Sequence, residues 1–455
     1  MRKEGYKKKV KTGIRIIKRM SLRLHAREIF NAAIEAVLPS AVLPVYIERE
    51  NDLLILDGKK YQLKNKTKIF VIAIGKAAAP MMAVVHNILG KAIHQSLVIT
   101  KEAHEISIEN CIVMEADHPV PGEKSVSAAG VLLKFVRNTH SNDIILFLIS
   151  GGASSLVTDV PGTLTLNDIK HTQNLLLLSG ADINKINTVR KHLSNLKGGQ
   201  LIRYCNDATI FSFIISDVVG NNVSIIGSGL TAPDNSSVED AMNIIWEFNL
   251  LQKIPPAVIN YLKSKTESKT LKASDGLFKN VKNIIVADSK MALQKARIKA
   301  ASLGYHMAYM NDAMFGNTEA ESINLVKKIK NYTGKKPACF IAGGETTIEV
   351  KGNGKGGRNQ HFALTMLHEL CKQYDEENSF PVILAAGTDG TDGPTDAAGA
   401  IIDASLIRQI KKENLPVEEY LRNNDSYNFF RRTNSLLITG PAQTNVMDIV
   451  IALIQ

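Results

Sequence analysis

Four cysteines are spread over 455 residues, at positions 111, 205, 339 and 371, and none belongs to a C-x-x-C pair. That scarcity excludes a disulfide scaffold and the common zinc and thioredoxin-like motifs. Two of the four lie in or beside apolar runs and read as small buried hydrophobes. A reducing cytoplasm is the simplest fit. No stretch of about 18 uncharged apolar residues occurs, so neither a transmembrane helix nor a membrane partner is expected. The sequence also lacks G-x-x-x-x-G-K-[ST], so any nucleotide chemistry is not that of a P-loop enzyme.

The formal charge of +11 invites a nucleic-acid reading, which its distribution removes. Residues 1–20 hold nine lysines and arginines against one glutamate, so most of the excess sits in a short leader. The remaining basic residues do not interleave with aromatics as in a single-strand binding surface. The leader has no apolar h-region, so it is not a secretory signal. Its composition predicts a dispensable, disordered extension.

What the chain does have is a set of apolar runs, each ending in a small, polar, glycine-rich turn. These are 70–74 before Gly75-Lys76, 144–149 before Ser150-Gly151-Gly152-Ala153-Ser154, and 210–215 before Ser216-Asp217. Two more are 339–342 before Gly343-Gly344-Glu345-Thr346, and 382–386 before Gly387-Thr388-Asp389-Gly390. Continuous apolar runs mark strands covered on both faces, which predicts parallel sheets flanked by helices. Ligands of such sheets sit outside the carboxyl ends of the strands, which points to an enzyme. The polar, lysine-rich stretch 265–282 reads as a linker. Alternating strand and helix patterns on either side predict two α/β domains, residues 21–264 and 283–455.

The loop Gly352-Asn353-Gly354-Lys355-Gly356-Gly357-Arg358-Asn359 is expected to follow a strand at 347–350 and to open a helix. Glycines let a ligand approach the backbone, and a helix N-terminus offers N–H groups to an anion. Lys355 and Arg358 add positive charge. The loop formally matches G-x-G-x-x-G, but the acid a dinucleotide site needs is poorly placed: Asp375 precedes the next strand and Asp389 follows it. The alternative is a glycine-rich surface hairpin, but such a turn rarely needs four glycines beside Arg-Asn-Gln. Lys76 stands where a lysine can reach a phosphate over a helix start, or simply cap that helix in solvent. The turn at 150–155 offers hydroxyl and N–H donors but does not fit a G-x-S-x-G nucleophile elbow. Asp217, Glu345, Asp389, Asp392 and Asp396 spread carboxylates over three strand ends, the usual company of Mg²⁺ and phosphate oxygens. Metal ligands cannot be assigned from spacing.

In combination these motifs resemble those of the class II glycerate kinases, ATP-dependent glycerate 2-kinases unrelated to P-loop kinases. The resemblance runs in order from about residue 21 to the end. It is carried by Gly75-Lys76-Ala77-Ala78, Ser150-Gly151-Gly152-Ala153-Ser154-Ser155 and Asn187-Thr188-Val189-Arg190-Lys191-His192-Leu193-Ser194. It continues through Ser216-Asp217-Val218-Val219-Gly220, Gly343-Gly344-Glu345-Thr346-Thr347, Gly356-Gly357-Arg358-Asn359-Gln360 and Gly387-Thr388-Asp389-Gly390-Thr391-Asp392-Gly393. The sequence departs from the family pattern at Asn222, Leu230 and Ala442-Gln443.

The resemblance implies a Rossmann-like N-terminal domain, a smaller C-terminal α/β domain and an active site in the cleft between them. It implies transfer of a phosphoryl group from ATP, with Mg²⁺, to the 2-hydroxyl of D-glycerate, and places the family's active-site lysine and arginine on Lys76 and Arg358. Gly75, Ser150, Gly151, Gly152, Ser154, Asp217, Glu345, Gly354, Gly356, Gly357, Asn359 and Asp389 are the expected substrate- and phosphate-binding residues. Neither Lys76 nor Arg358 belongs to an apolar core, so alanine at either should change stability little. Two other readings are an NAD(P)-dependent hydroxypyruvate reductase and a non-catalytic binder of nucleotides or sugar phosphates. A homodimer is left open.

Overall fold

The computed structural model describes residues 21–63, 66–102, 108–264, 270–372 and 380–455. The leader, the acid at 375 and part of the expected linker lie outside them. The chain forms two compact units, Pro39–Ala287 and Asp288–Gln455, the latter joined by the described residues up to Leu38.

The unit Pro39–Ala287 begins with three short antiparallel strands, β1 (Ile47–Glu50), β2 (Leu53–Leu56) and β3 (Lys59–Gln62). Asp57 and Gly58, both at positive φ, make the tight turn between β2 and β3. Six parallel strands follow: β4 (Ile69–Ile74), β5 (Ile93–Lys101), β6 (Cys111–Ala116), β7 (Ile144–Ile149), β8 (Thr209–Ile215) and β9 (Val281–Ala287). Their order in the sheet is β6-β5-β4-β7-β8-β9. This is the doubly wound arrangement, in which the chain starts at the middle, winds outward on one side, then returns and winds outward on the other.

β4, β7 and most of β8 are buried on both faces, as their unbroken apolar runs require. One face packs Phe70, Ile72, Phe147 and Ile149 with Leu132 and Phe135 of the helix Glu123–Arg137. Residues 164–262 add a separate helical cluster around Val189, Ile245 and Leu262.

The second unit holds β10 (His306–Asn317), β11 (Ala338–Thr347), β12 (Val382–Gly387), β13 (Gly399–Ile402), β14 (Leu436–Leu437) and β15 (Asp448–Ile454). Their order is β10-β11-β15-β12-β13-β14. Only β10 and β11 pair in parallel; every other pairing is antiparallel. The expectation of parallel pairing therefore fails here. An apolar run reports that both faces of a strand are covered, and says nothing about the direction of its neighbour. β11 and β12 still point the same way, because β15 runs antiparallel between them.

The expected domain boundaries also shift. β9 completes the first sheet beside β8, so the first unit extends to Ala287. The helix covering Ser21–Glu35 groups with the second unit. Arg23 there pairs with Asp403 at 3.1 Å and donates to the Ile401 carbonyl, and His25 meets the Tyr305 hydroxyl at 2.9 Å. Such partners lie hundreds of residues away and leave no local signal. Among the described residues no single helix is long and apolar enough to cross a membrane.

Candidate active site

In the first unit the strand order reverses between β4 and β7, and ligands of open parallel sheets bind at that point. Ile74 pairs with Ile149, which sets Gly75 beside Ser150. The two turns are laced together: the Lys76 amide donates to the Gly151 carbonyl at 2.9 Å, and the Ala77 amide to Ser150 Oγ at 3.0 Å. Gly75 has φ +132°, and a Cβ there would collide with Ser150 Oγ and its carbonyl. Gly152, also at positive φ, brings the turn against the Lys76 side chain and the His118 ring.

The amides of Gly151 and Gly152 donate to no described residue. The geometry thus supplies two unpaired N–H donors beside a lysine. Of the expected residues Gly75, Lys76, Ser150, Gly151, Gly152 and Ser154 are together here. Asp217 lies past the end of β8, the strand next to β7.

Arg190, absent from the expected site, reaches the same turn. The helix Ile183–His192 carries it, and the contacts holding its last turn include buried Lys191, paired with buried Asp234 at 3.0 Å, and His192 Nε2, which meets Ser236 Oγ at 3.2 Å. Arg190 donates from Nη1 to Ser154 Oγ at 3.2 Å and to Asn187 Oδ1 at 3.1 Å. Ser154 Oγ lies 2.6 Å from Ser228 Oγ, and Ser228 donates to Asn187 Oδ1 at 3.0 Å, closing a ring of hydrogen bonds. Burial pulls the Arg190 guanidinium down to about 10. Burial likewise pulls fully enclosed Lys197 down to about 8; Asp159 opposes this and the charge of Arg190 adds to it.

The second unit gathers its chemistry where β11 and β12 end and β15 begins. Gly344 and Gly387 both register against Asp448, the first residue of β15. Asp448 is buried, and Arg358 grips it from Nε at 2.5 Å and Nη2 at 3.1 Å. Nη1 of Arg358 pairs with Glu345 at 2.6 Å, and Asn359 Nδ2 donates to Asp448 at 2.9 Å. Burial alone would lower the Arg358 pKa, but Asp448 and Glu345 outweigh it and hold the guanidinium firmly protonated. Arg358, Asn359 and Glu345 therefore form one cluster. Asp389 lies beside it, its Oδ1 accepting from the Thr391 amide at 3.0 Å.

Buried Asp392 caps the helix Arg358–Cys371 from outside the helix, accepting the Asn359 amide at 3.0 Å and the Gln360 amide at 2.8 Å. Burial pushes its carboxyl up to about 7, against the pull of those two amides, and the charge of Asp448 adds to the rise. A carboxylate of the protein thus holds the helix N-terminus that the sequence offered to a ligand anion.

The glycine-rich loop meets a similar fate. The amides of Gly352, Asn353, Gly354 and Lys355 bind Asn424 Oδ1, Asn423 Oδ1, the Asn423 carbonyl and Asp425 Oδ1. A Cβ on Gly356 would strike Ser426, and one on Gly357 would strike Asp392. The glycines admit the protein's own segments 423–427 and 392 rather than a ligand. The Gly354 amide in particular is taken by the Asn423 carbonyl at 2.8 Å. The expected strand at 347–350 does not form: β11 runs unbroken from Ala338 to Thr347, and residues 348–350 are loop.

Asp448 begins a strand rather than ending one, so no strand-end pattern marks it. Its signal was a lone carboxylate ahead of the apolar run 449–454. Arg190 lies in the stretch 187–194 that carries the family resemblance, but a helical arginine in a basic stretch is ordinarily a solvated one.

Residues 25–263 match a family model described as a domain of unknown function (DUF4147), and residues 338–448 match the MOFRL family. The glycerate 2-kinase of Pyrococcus horikoshii is 34% identical over 441 residues, covering 96% of this chain and 98% of that protein. The D-glycerate 2-kinase of Thermotoga maritima is 37% identical over 438 residues, covering 95% and 99%. The crystal structure of Thermotoga maritima glycerate kinase superimposes with a TM-score of 0.80 at 34% identity, covering 96% of this chain and all of that one. With both family models in chain order and near-complete coverage on both sides, this chain belongs to the glycerate 2-kinase family.

Proposed function

We propose that this protein is an ATP-dependent D-glycerate 2-kinase, forming 2-phosphoglycerate and ADP. The observation that carries the reading is the end-to-end correspondence with glycerate 2-kinases. Phosphoryl transfer asks a protein mainly for positioning and charge neutralisation. The substrate 2-hydroxyl attacks the γ-phosphorus, the bond from that phosphorus to the ADP oxygen breaks, and the hydroxyl proton passes to a carboxylate.

Lys76 and the amides of Gly151 and Gly152 are the donors we assign to anionic oxygens. Glu345 and Asp389, at the ends of β11 and β12, are the carboxylates we assign to orient the hydroxyl and accept its proton. Arg358, already balanced by Asp448 and Glu345, holds Glu345 in place and offers a fixed positive charge to the transferring group.

Among the described residues no three His, Cys, Asp or Glu side chains form a group able to hold a metal. Asp448 and Asp392 are taken up by Arg358 and by backbone amides. These residues therefore do not fit a resident ion. Mg²⁺ enters in our reading as part of the substrate, coordinated by the ATP phosphates.

The reductase reading loses its main support, because four amides of the G-x-G-x-x-G loop, those of residues 352–355, are bound to residues 423–425 rather than offered to a pyrophosphate. The test is incubation with D-glycerate, Mg²⁺ and ATP. The expected result is glycerate-dependent ADP release, with phosphorus NMR placing the new phosphate on carbon 2. NADH oxidation by hydroxypyruvate without ATP turnover would overturn the proposal.

A further inference from the structure

We propose that Arg190 is a further substrate-binding residue, its guanidinium receiving anionic oxygens at the β4–β7 turn together with Lys76 and the amides of Gly151 and Gly152. The inference rests on the kinase reading and adds to it a residue and a ligand chemistry.

Buried charges are normally paired with an opposite charge, because removing an ion from water costs several kcal/mol. Lys191, one residue on, obeys that rule, buried against Asp234. Arg190 does not. It makes no ion pair with a described residue, and its two hydrogen bonds go to neutral oxygens, Ser154 Oγ and Asn187 Oδ1. Both bonds use Nη1, while Nε and Nη2 donate to no described residue. A guanidinium has five N–H donors in a rigid plane, so most of its capacity stays unused.

The neutral partners are themselves fixed. Ser228 links Ser154 to Asn187, and this chain holds one edge of the guanidinium. The effect is to orient a cation without neutralising it. Ser154 belongs to the turn whose Gly151 and Gly152 amides are also unpaired, and Gly152 abuts the Lys76 side chain. Two cations and two unpaired N–H donors thus meet at one turn, at the place where doubly wound sheets bind their ligands. The Arg190 charge also presses on Lys197, a repulsion that a bound anion would relieve. The chemistry that fits is a phosphate or a carboxylate. The reaction supplies both, as the nucleotide phosphates and as the carboxylate of glycerate.

The experiment compares wild type with Arg190→Gln and Arg190→Lys by calorimetric titration of ADP, inorganic phosphate and D-glycerate separately, alongside ligand-free melting temperatures and steady-state kinetics. Because no carboxylate is orphaned, both variants should melt unligated at or above the wild-type temperature. Arg190→Gln should weaken one ligand by about tenfold or more, the scale of a lost charge-assisted hydrogen bond. Weakening of ADP and phosphate identifies the nucleotide as the source; weakening of glycerate alone identifies the carboxylate. Arg190→Lys should recover part of the affinity, since it keeps the charge and loses the fork. Unchanged binding of all three ligands by the glutamine variant overturns the proposal. So does a drop of several degrees in the ligand-free melting temperature of both variants with affinities intact, which would make Arg190 a strut of the turn. An inactive wild type would refute the kinase reading, while the binding comparison would still decide the role of Arg190.

Discussion

Arg358 Nε donates to Asp448 Oδ2 at 2.5 Å, joining the first residue of one helix to the first residue of the last strand. Asp448 is buried, whereas the Arg358 side chain is 33% exposed. The two ends of the bond therefore respond differently to mutation. The sequence predicts little stability loss on removing Arg358, and the structure corrects this.

Arg358→Ala leaves the Asp448 carboxylate buried with Asn359 Nδ2 as its remaining side-chain donor in the cluster. A loss of roughly 2–3 kcal/mol in unfolding free energy is expected, below the full cost of breaking a buried pair because Arg358 is partly solvated. kcat should fall about a hundredfold, as when an electrostatic stabiliser is removed. Arg358→Lys should also be impaired, because a point charge cannot grip Asp448 and Glu345 at once. Denaturant unfolding and steady-state kinetics on the same preparations check this. A stable, fully active alanine variant would contradict both halves.

Lys76→Ala is expected to lower kcat about a hundredfold with little change in melting temperature. Its backbone, which ties the two turns through the Gly151 carbonyl, is untouched by the substitution. Combined with Arg358→Ala, the loss should be less than additive if both residues serve one transfer step. A double-mutant cycle on kcat measures this, and strict additivity would separate their roles.

Gly75→Ala tests the joint between the β4 and β7 turns. Its φ of +132° is strained for any side chain, and the new methyl collides with Ser150. The two effects together should cost on the order of 2–3 kcal/mol or more and displace Lys76, lowering kcat as well. Wild-type stability and turnover in this variant would show that the turn can rearrange.

Lys197 gives stability a pH dependence of known sign. Its folded pKa of about 8 lies below the ordinary lysine value near ~10.4, so between those values the unfolded chain binds more protons. Stability from this group is therefore fully present above the unfolded pKa and is lost as pH falls through about 8. Lys197→Met should flatten that slope. Urea unfolding of both proteins at intervals across the window measures it; parallel curves would show that Lys197 titrates normally.

Some of this was legible in the sequence, and the reason is local. The runs at 70–74, 144–149 and 210–215 declare strands covered on both faces, because burial of alternate and intervening positions alike demands apolar residues. Their ends at Gly75-Lys76 and Ser150–Ser154 mark the turns, because only small residues let two strand ends meet so closely. Family membership was likewise carried by short stretches in order. Other features depended on partners that no local pattern encodes. The direction of β15 between β11 and β12, the burial of Asp448 beneath Arg358, and the docking of the helix Ser21–Glu35 on Asp403 and Tyr305 were decided by tertiary packing. The glycines of 352–357 show the division most clearly. Their composition established that something approaches the backbone closely, and only the fold determined that the approaching group is the protein's own segment 423–427.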